Sequence, residues 1–335
     1  MNDSVLVTGG AGFIGSHVVD SLVSREFDVV ALDDLSGGYA ANVNSRATFI
    51  EGSILDVDLI DQLFSRYRFR RVYHLAAYAA EGLSHFIRRF NYTNNVVGSI
   101  NLINASVNSD VDCFVFTSSI AVYGANQVPM SEDLMPNPED PYGIAKRAVE
   151  LDLMAAKEMF GLDYVTFRPH NVYGERQNIG DRYRNVVGIF MRQAMMNEPF
   201  TIFGDGNQTR AFTHVADIAD IIARSPDVDG ARNQVFNVGA DEILTVNELG
   251  RTVSSAMGVE FQPEYLAARK EVVHAYADHS KSDRVFDCRT KISIQEGIPR
   301  MADWAKEIGP RRSPLFSGIE ILQNLPPSWS DELQL

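Results

Sequence analysis

A glycine-rich turn near residue 10 constrains the fold of this chain more than any other feature. The apolar run Ser4–Thr8 is typical of a buried parallel strand, and His17–Ser24 has the pattern of a following helix. Between them, the spacing Gly10-x-Gly12-x-x-Gly15 fits the dinucleotide-binding fingerprint. Such glycines let the backbone approach a pyrophosphate at the helix N-terminus, so the sequence predicts a dinucleotide site.

The strands that follow place small and polar residues where a parallel sheet forms its ligand crevice. The run Asp28–Leu32 ends in Asp33 and Asp34, about 20 residues beyond the turn. A carboxylate there accepts hydrogen bonds from the adenosine ribose and repels a 2′-phosphate, which favours NAD over NADP; a turn cap is the alternative role. Apolar strands over 71–77 and 112–119 end in small or hydroxyl residues. We therefore predict an α/β fold with a Rossmann-type doubly wound parallel sheet.

A tyrosine and a lysine four residues apart indicate acid/base chemistry. Tyr142 and Lys146 lie in Pro-Tyr-Gly-Ile-Ala-Lys, and this spacing places both side chains on one helix face. An ammonium there stabilises the phenolate, so a tyrosine with an ordinary pKa of about 10 can exchange protons near neutrality. Alone, such a pair is usually an ordinary surface pair. Together with the glycine turn, it predicts a nicotinamide cofactor and a tyrosine acid/base in one active site.

Composition is that of a packed globular protein and excludes several classes. The chain has 335 residues, of which 45% are hydrophobic and 22% charged. The net charge of −14 argues against nucleic acid as a partner. No apolar run approaches the roughly 20 residues of a membrane span, and the first strand starts too early for a signal peptide.

The cysteines and histidines indicate no disulfide framework and no metal site. There are two cysteines: Cys113 lies in an apolar strand, where we expect a small core residue, and Cys288 is far from it in sequence. The seven histidines have no metal-ligand spacing, and His17 and His74 are expected to be structural. The predicted location is the cytoplasm.

Several further segments carry a family resemblance that covers residues 4 to about 290. They are Thr8–His17, His74–Ala77, Asn95–Gly98, Thr117–Gly124, Pro141–Lys146, Arg168–Gly174 and Phe203–Arg210. With these segments the chain resembles the extended short-chain dehydrogenase/reductases that epimerise or dehydrate nucleotide sugars. The resemblance implies an NAD-binding domain over 1–170 and 212–240. It also implies a smaller α+β lobe for the nucleotide sugar over 171–211 and 241–335, which includes a C-terminal tail.

The resemblance also assigns roles to residues of this chain. It implies that Ser119 is the catalytic hydroxyl, Tyr142 the base and Lys146 the residue that lowers its pKa. Residues implied to hold NAD are Gly9, Gly12, Phe13, Ile14, Gly15, Asp33, Asp34, Ser36, Gly37, Ser53, Ile54, Leu75, Ala76, Ala77, Asn95, Thr117, Tyr142, Lys146 and Pro169. Residues implied to hold the substrate are Ala79, Glu81, Ser119, Asn171, Asn185, Phe203, Arg210, Arg269 and Glu271.

The residues beside Ser119 narrow the reaction. Dehydratases of the family carry an Asp-Glu pair where this chain has Ile120 and Ala121, and decarboxylases usually keep the glutamate. The related 3,5-epimerases use a cysteine at the position of Ala121 and a lysine near Asn185, and neither is present. Reversible oxidation at C4 with NAD remains, as in the UDP-glucose 4-epimerases. A 4-epimerase of a UDP-hexose is thus predicted.

Other functions stay open at this stage, among them another nucleotide-sugar modifying enzyme of the same family, such as a 3,5-epimerase or a decarboxylase. A net nucleotide-sugar oxidoreductase has the same catalytic groups but exchanges its cofactor in each turnover. A dinucleotide-sensing protein would bind without catalysis, although such proteins often lose the tyrosine or the lysine.

Three features outside the catalytic motifs also give predictions. Helices are expected over 94–106 and 143–160, and in relatives such helices pair across a two-fold axis, so a homodimer is predicted. Ala275 lies near a position that limits the sugar pocket in some 4-epimerases, and this small residue is expected to admit an N-acetyl group. The last 25 or so residues hold prolines and apolar residues and are expected to dock on the protein.

Overall fold

The computed structural model describes residues 4–181, 183–268, 272–288, 292–311, 313, 316, 318–327 and 329. The strands in this part of the chain, numbered in chain order, are β1 (Ser4–Thr8), β2 (Asp28–Asp33), β3 (Thr48–Glu51), β4 (Arg71–His74), β5 (Cys113–Thr117), β6 (Tyr164–Pro169), β7 (Val172–Tyr173), β8 (Phe200–Phe203), β9 (Thr209–Ala211), β10 (Thr213–His214), β11 (Gln234–Val238), β12 (Ile243–Thr245), β13 (Pro263–Leu266) and β14 (His274–Ala275).

The α-helices are α1 (Phe13–Ser24), α2 (Val57–Tyr67), α3 (Glu81–Ser84), α4 (Arg88–Tyr92), α5 (Gly98–Asn108), α6 (Pro141–Phe160), α7 (Val186–Met196), α8 (Val215–Arg224), α9 (Val246–Met257), α10 (Ser280–Phe286) and α11 (Ile294–Ile308). A π-helical segment, Thr93–Val97, joins α4 to α5, so the helix predicted over 94–106 is part of a longer helical run. Short 3-10 turns lie at Ala40–Asn42, Ile120–Tyr123 and Ser225–Asp227.

The large sheet is fully parallel and has the order β11-β6-β5-β4-β1-β2-β3. Its central strands are buried on both faces, which explains their continuous apolar runs. The order reverses between β1 and β4, and ligands of doubly wound sheets bind outside the strand ends at this point. The predicted Rossmann-type sheet is confirmed.

Helices cover both faces of this sheet with apolar side chains. On one face Val18 and Leu22 of α1 pack with Ile222 of α8. On the other face Leu102 of α5 and Leu153 of α6 are fully buried in a second cluster. Each such side chain contributes about 1.5–3 kcal/mol by leaving water, so the two clusters hold the strand ends in place.

The other strands form three small sheets, which are β7 with β10, β12 with β9 and β14, and β8 with β13. They share a separate core with α7, α9 and α11, in which Phe190, Phe200 and Leu249 are buried. The large-sheet strands lie within residues 4–169 and 234–238, and the small sheets come from the intervening and following segments. The division into two domains stays a prediction.

The described part of the C-terminal tail is docked, as predicted. Phe316, Ile319 and Leu325 pack with Trp329 against aromatic residues between positions 78 and 90. Cys113 is buried in β5, and His74 is buried between Thr8 and Ser99, as expected for structural residues. Among the described residues, no helix is both long and apolar enough to cross a bilayer.

Candidate active site

The glycine turn after β1 leaves the start of α1 open toward a cavity. Gly9 has a φ of +70°, and a Cβ on Gly15 would lie 1.9 Å from the carbonyl oxygen of Gly9. A side chain at Gly9 would have to adopt an unfavourable left-handed conformation, and one at Gly15 would collide with that oxygen. The turn therefore requires glycine at both positions. The N-cap of α1 is Gly12, which adds no side-chain hydrogen bond, and the first turn of the helix contains no acidic residue. The first amides of the helix and its dipole are therefore available to an anion such as a pyrophosphate.

Asp33 lies at the end of β2 beside this turn. It is 8% exposed, and its two carboxylate oxygens accept hydrogen bonds from the amides of Ala11 (3.0 Å) and Leu35 (2.8 Å). Asp34 is exposed and accepts from the amide of Ser36 at 2.9 Å. Asp33 thus caps the turn and also lines the cavity, where its role toward the adenosine ribose stays a prediction.

Helix α6 carries the tyrosine and the lysine into the same cavity. The Asp140 side chain accepts from the amide of Gly143, and Pro141 occupies the first helical position, so the helix starts just before Tyr142. Lys146 donates to the carbonyl of Thr117 at 2.7 Å, and its ammonium lies 5.8 Å from the centre of the Tyr142 ring.

Ser119 completes this group from the end of β5. Its hydroxyl oxygen accepts from the amide of Ala121 at 3.1 Å, and the side chain also forms a hydrogen bond with Tyr142. The hydroxyl of Thr117 lines the cavity and is buried without a hydrogen-bond partner among the described residues. An unpartnered hydroxyl at the cavity wall fits a polar ligand group at this position.

The pKa of Tyr142 in this structure differs from the lowered value that the sequence predicts. Burial raises the pKa of Tyr142 above its ordinary value, and the hydrogen bond with Ser119 only partly opposes this. Burial also lowers the pKa of Lys146 to about 7, while the charge of Glu150 opposes that shift. Desolvation is thus the largest cause of the pKa shift at both groups, since Tyr142 is only 8% and Lys146 only 3% exposed.

A buried ion pair lies next to Lys146, between α6 and β6. Glu150, one turn beyond Lys146 on α6, accepts two hydrogen bonds from Arg168 of β6, at 2.8 and 2.6 Å. Arg168 also donates to the hydroxyl of Tyr123 at 2.7 Å, and that hydroxyl donates to Asn237 at 2.9 Å. The network ties α6 to the sheet and fixes the direction in which Lys146 points.

The opposite wall of the cavity comes from the small lobe. Asn185 caps α7, since its side chain accepts from Val187 at 2.9 Å and donates to the carbonyl of Val172 at 2.8 Å. Asn171 has a φ of +41° and donates to the carbonyl of Ala211 at 3.1 Å. The N-terminus of α7 therefore adds a second positive helix end to the cavity.

Arg210 and Phe203 lie farther along the same wall. The guanidinium of Arg210 donates to the carbonyls of Thr209 and Val273, at 2.9 and 2.8 Å, and to that of Val272. Phe203 ends β8 and is partly buried. Both residues line the cavity, at positions where a phosphate and a nucleotide base are expected.

Most predicted site residues lie around one cavity of about 1090 Å³, above the roughly 300–1,000 Å³ of ordinary ligand pockets. Ser53 and Asn95 do not line it. The hydroxyl of Ser53 accepts from the amide of Leu55, and the amide of Asn95 holds the backbone of Tyr78. Local hydrogen bonds thus use polar atoms of both side chains, and their role in binding NAD stays a prediction. Arg269 and Glu271 lie outside the described residues.

Sequence reasoning missed residues that reach the cavity from distant segments. Trp329 of the tail and Arg184 line it, and Arg184 lies 5.5 Å over the ring of Tyr78. No motif marks either residue. Glu150 could have been found, because it continues the four-residue spacing of Tyr142 and Lys146. Among the described residues, no cluster of His, Cys, Asp and Glu could hold a metal ion.

Comparison with known proteins identifies the family to which this chain belongs. The model of the NAD dependent epimerase/dehydratase family matches residues 5–239. The chain belongs to this family. A putative UDP-glucose 4-epimerase of Methanocaldococcus jannaschii is 36% identical over 90% of this chain and 98% of its own length.

Solved structures of family members are similar over the same extent. UDP-glucose 4-epimerase from Thermotoga maritima with UDP-glucose is 35% identical, with a TM-score of 0.87 over 91% of this chain and 99% of that one. The Thermus thermophilus UDP-glucose 4-epimerase in complex with NAD is 31% identical, with a TM-score of 0.84 over 90% and 98%. This member of the family is an NAD-dependent epimerase.

Proposed function

We propose that the protein is a UDP-hexose 4-epimerase of the UDP-glucose/UDP-galactose type with resident NAD. The observation that carries this proposal is the meeting of Ser119, Tyr142 and Lys146 in one cavity beside the glycine turn. The next two positions, Ile120 and Ala121, line the same cavity and carry no acid or base. Chemistry at C4 of the sugar needs only the residues that are present.

The turn after β1 and Asp33 would hold NAD, which supplies a reversible hydride acceptor when bound. Tyr142 removes the proton of the 4-hydroxyl and returns it after the sugar has turned, with Ser119 orienting the oxygen. Lys146, on the same face of α6, would stabilise the tyrosine anion by its charge and would hold the nicotinamide ribose. Because burial raises the pKa of Tyr142, the positive charges of Lys146 and of the cofactor are needed for it to act as a base.

Replacing Tyr142 by Phe tests this mechanism. Y142F should lower turnover of UDP-galactose by about 10²–10⁴-fold, the usual contribution of general acid/base catalysis, while bound NAD is retained. Product would be followed by proton NMR without added cofactor, and NAD would be quantified after denaturation. The matched variant Y67F alters a half-buried tyrosine in α2 and should keep full turnover. Unchanged turnover in Y142F would contradict the assignment.

The same NMR assay separates the alternatives. Interconversion of UDP-glucose and UDP-galactose without added cofactor supports the 4-epimerase. A reaction that needs added NAD⁺ or NADH, with a stoichiometric absorbance change, would instead indicate a net oxidoreductase. Turnover of UDP-N-acetylglucosamine would support the prediction that Ala275, which lines the cavity, leaves space for an N-acetyl group.

We also propose a homodimer and a cytoplasmic location. Ile144, Leu151 and Met154 are exposed on α6. Val97 is exposed on the helical run that ends in α5, and this run contacts α6. Exposed apolar residues on neighbouring helices suit an interface between two copies. Light scattering should give twice the mass of the chain, and Leu151→Glu should give a monomer; a monomeric wild type would refute the dimer.

The proposed cytoplasmic location agrees with the state of the cysteines. Cys113 and Cys288 form no disulfide, as is usual for proteins in a reducing compartment.

A further inference from the structure

The C-terminal tail crosses from the small lobe to the walls of the cavity. After α11, Arg311 lies 4.4 Å over the ring of Tyr39, next to the loop that follows β2. The hydroxyl of Ser313 then donates to the side chain of Asn178 at 2.9 Å, and Ser313 itself lines the cavity. The first part of the tail thus contacts both the loop after β2, beside the predicted NAD site, and the small lobe.

Glu320 anchors the next part of the tail on the other side. Its carboxylate accepts from the amides of Arg89 (2.8 Å) and Phe90 (2.9 Å), the first turn of the helical run that begins with α4. Its own amide donates to the carbonyl of Phe86 at 2.8 Å. Phe316 packs against Phe90 with ring centroids 4.8 Å apart. These contacts fix the tail on the segment 78–90.

Trp329 stands at the end of this path, 6% exposed and in the cavity wall. Its ring lies edge-on to Tyr183 at 5.1 Å and to Phe86 at 6.0 Å. The segment 78–90, on which Trp329 packs, is also bonded to α6, because the hydroxyl of Ser84 accepts from the amide of Tyr142 at 3.3 Å. Trp329 thus packs on a segment that is itself bonded to the helix of the catalytic tyrosine.

The relatives match nearly end to end but leave about a tenth of this chain uncovered. The Methanocaldococcus jannaschii relative is covered over 98% of its length and the Thermotoga maritima structure over 99%, against 90% and 91% of this chain. The tail lies beyond the segments that carry the family motifs. The proposed role of the tail therefore rests on the contacts in this structure and not on the family motifs.

We propose that the tail forms an added wall of the sugar subsite, with Trp329 as a specificity-determining residue that packs against the hexose ring. The large apolar face of an indole gives much contact area for little entropy, whereas the hydroxyls of the sugar face the polar side of the cavity. This inference rests on the proposed function, since it assumes that a UDP-hexose occupies the cavity.

Binding measurements on the full-length, NAD-loaded protein test the wall. Calorimetry would compare UDP-galactose with UDP, which lacks the sugar, in wild type and in W329A. We expect W329A to weaken UDP-galactose binding by about tenfold, the usual effect of removing a buried aromatic anchor, and to leave UDP binding within about twofold. The matched control L322A removes an exposed apolar side chain of the same tail and should change neither value.

A second variant keeps the experiment decisive if W329A folds poorly. E320A leaves the tryptophan intact but removes the acceptor of two amides, so the same selective loss for UDP-galactose is expected. Equal losses for UDP and UDP-galactose, or none in either variant, would overturn the role of the tail. Wild-type binding of UDP-galactose without its interconversion would overturn the proposed 4-epimerase alone, because the binding comparison would still stand.

Discussion

Asp33 and Asp34 are neighbours in sequence but have different surroundings. Asp33 is buried at the cavity, with backbone amides on both of its oxygens, whereas Asp34 is exposed and caps a local turn. The sequence could place an acidic residue at the end of β2. Both aspartates line the cavity, and the sequence could not decide which of them is buried against backbone amides, because that depends on the twist of the strand end.

This difference predicts which aspartate selects the cofactor. Asp33→Asn removes the charge that repels a 2′-phosphate, so the preference for NAD over NADP should fall by about tenfold or more. Asp34→Asn keeps Asp33 in place and should leave the preference unchanged. Cofactor affinities measured by fluorescence titration of the stripped protein would decide. An equal effect of both substitutions would show that Asp33 has no special role.

At the scale of the element, α6 aligns Tyr142, Lys146 and Glu150 on one face at four-residue intervals. Glycine and proline signals and helical periodicity are local, so the sequence predicted this helix and its end at Gly161. The ion pair with Arg168 could not be predicted, because it depends on where β6 lies next to α6. The bonds between the Asn95 amide and the backbone of Tyr78 could not be predicted for the same reason, since only the fold brings the two together.

Breaking this ion pair should affect both stability and the lysine. E150Q keeps one oxygen acceptor but leaves the buried charge of Arg168 without a counter-charge, so we expect a loss of about 3–5 kcal/mol in the free energy of unfolding. The charge of Glu150 raises the pKa of Lys146, so its removal should lower that pKa further and move the alkaline limb of the pH–rate profile to lower pH. Urea unfolding and a pH series would measure these effects.

Glu158 lies on the same helix but is exposed, which makes E158Q the matched control. It should change the free energy of unfolding by less than about 0.5 kcal/mol. If E150Q were as stable as E158Q, the buried pair would not hold α6 to the sheet. If its stability fell but the pH profile stayed in place, Glu150 would be structural only.

At the scale of the whole molecule, two buried histidines link stability to pH. Burial lowers the pKa of His74 and of His170 to about 3, with the charge of Lys146 adding to the effect at His74 and that of His279 at His170. The unfolded chain, with ordinary histidine pKa values near 6.5, then binds more protons than the folded one between about pH 3 and 6.5. Acidification in this window therefore favours unfolding.

We expect the free energy of unfolding to fall by about 1.4 kcal/mol per pH unit for each of these histidines as pH drops below 6.5. Substituting His170 with Asn should reduce the slope by that amount, whatever it does to the stability itself. His274 is exposed, and the variant H274N should keep the wild-type slope. Denaturant melts at several pH values would measure the slopes. An unchanged slope in H170N would contradict the argument.

The large sheet and most residues of the cavity could be predicted from sequence, because glycine spacing, strand ends and the Tyr142–Lys146 pair are local signals. The wall that contains Trp329 could not be, since it joins residues more than two hundred positions apart. Likewise the pKa of Tyr142 depends on burial by the complete fold, which opposed the prediction made from its neighbour Lys146.

The anchoring of Glu320 also has a consequence for the order of events on the ribosome. The helix that it caps is synthesised far earlier, with 231 positions between Arg89 and Glu320. During synthesis the parallel sheet and its glycine turn emerge while one wall of the cavity is still missing. Completion of this wall is therefore a late, long-range step of folding, because it needs contacts between segments that are far apart in sequence.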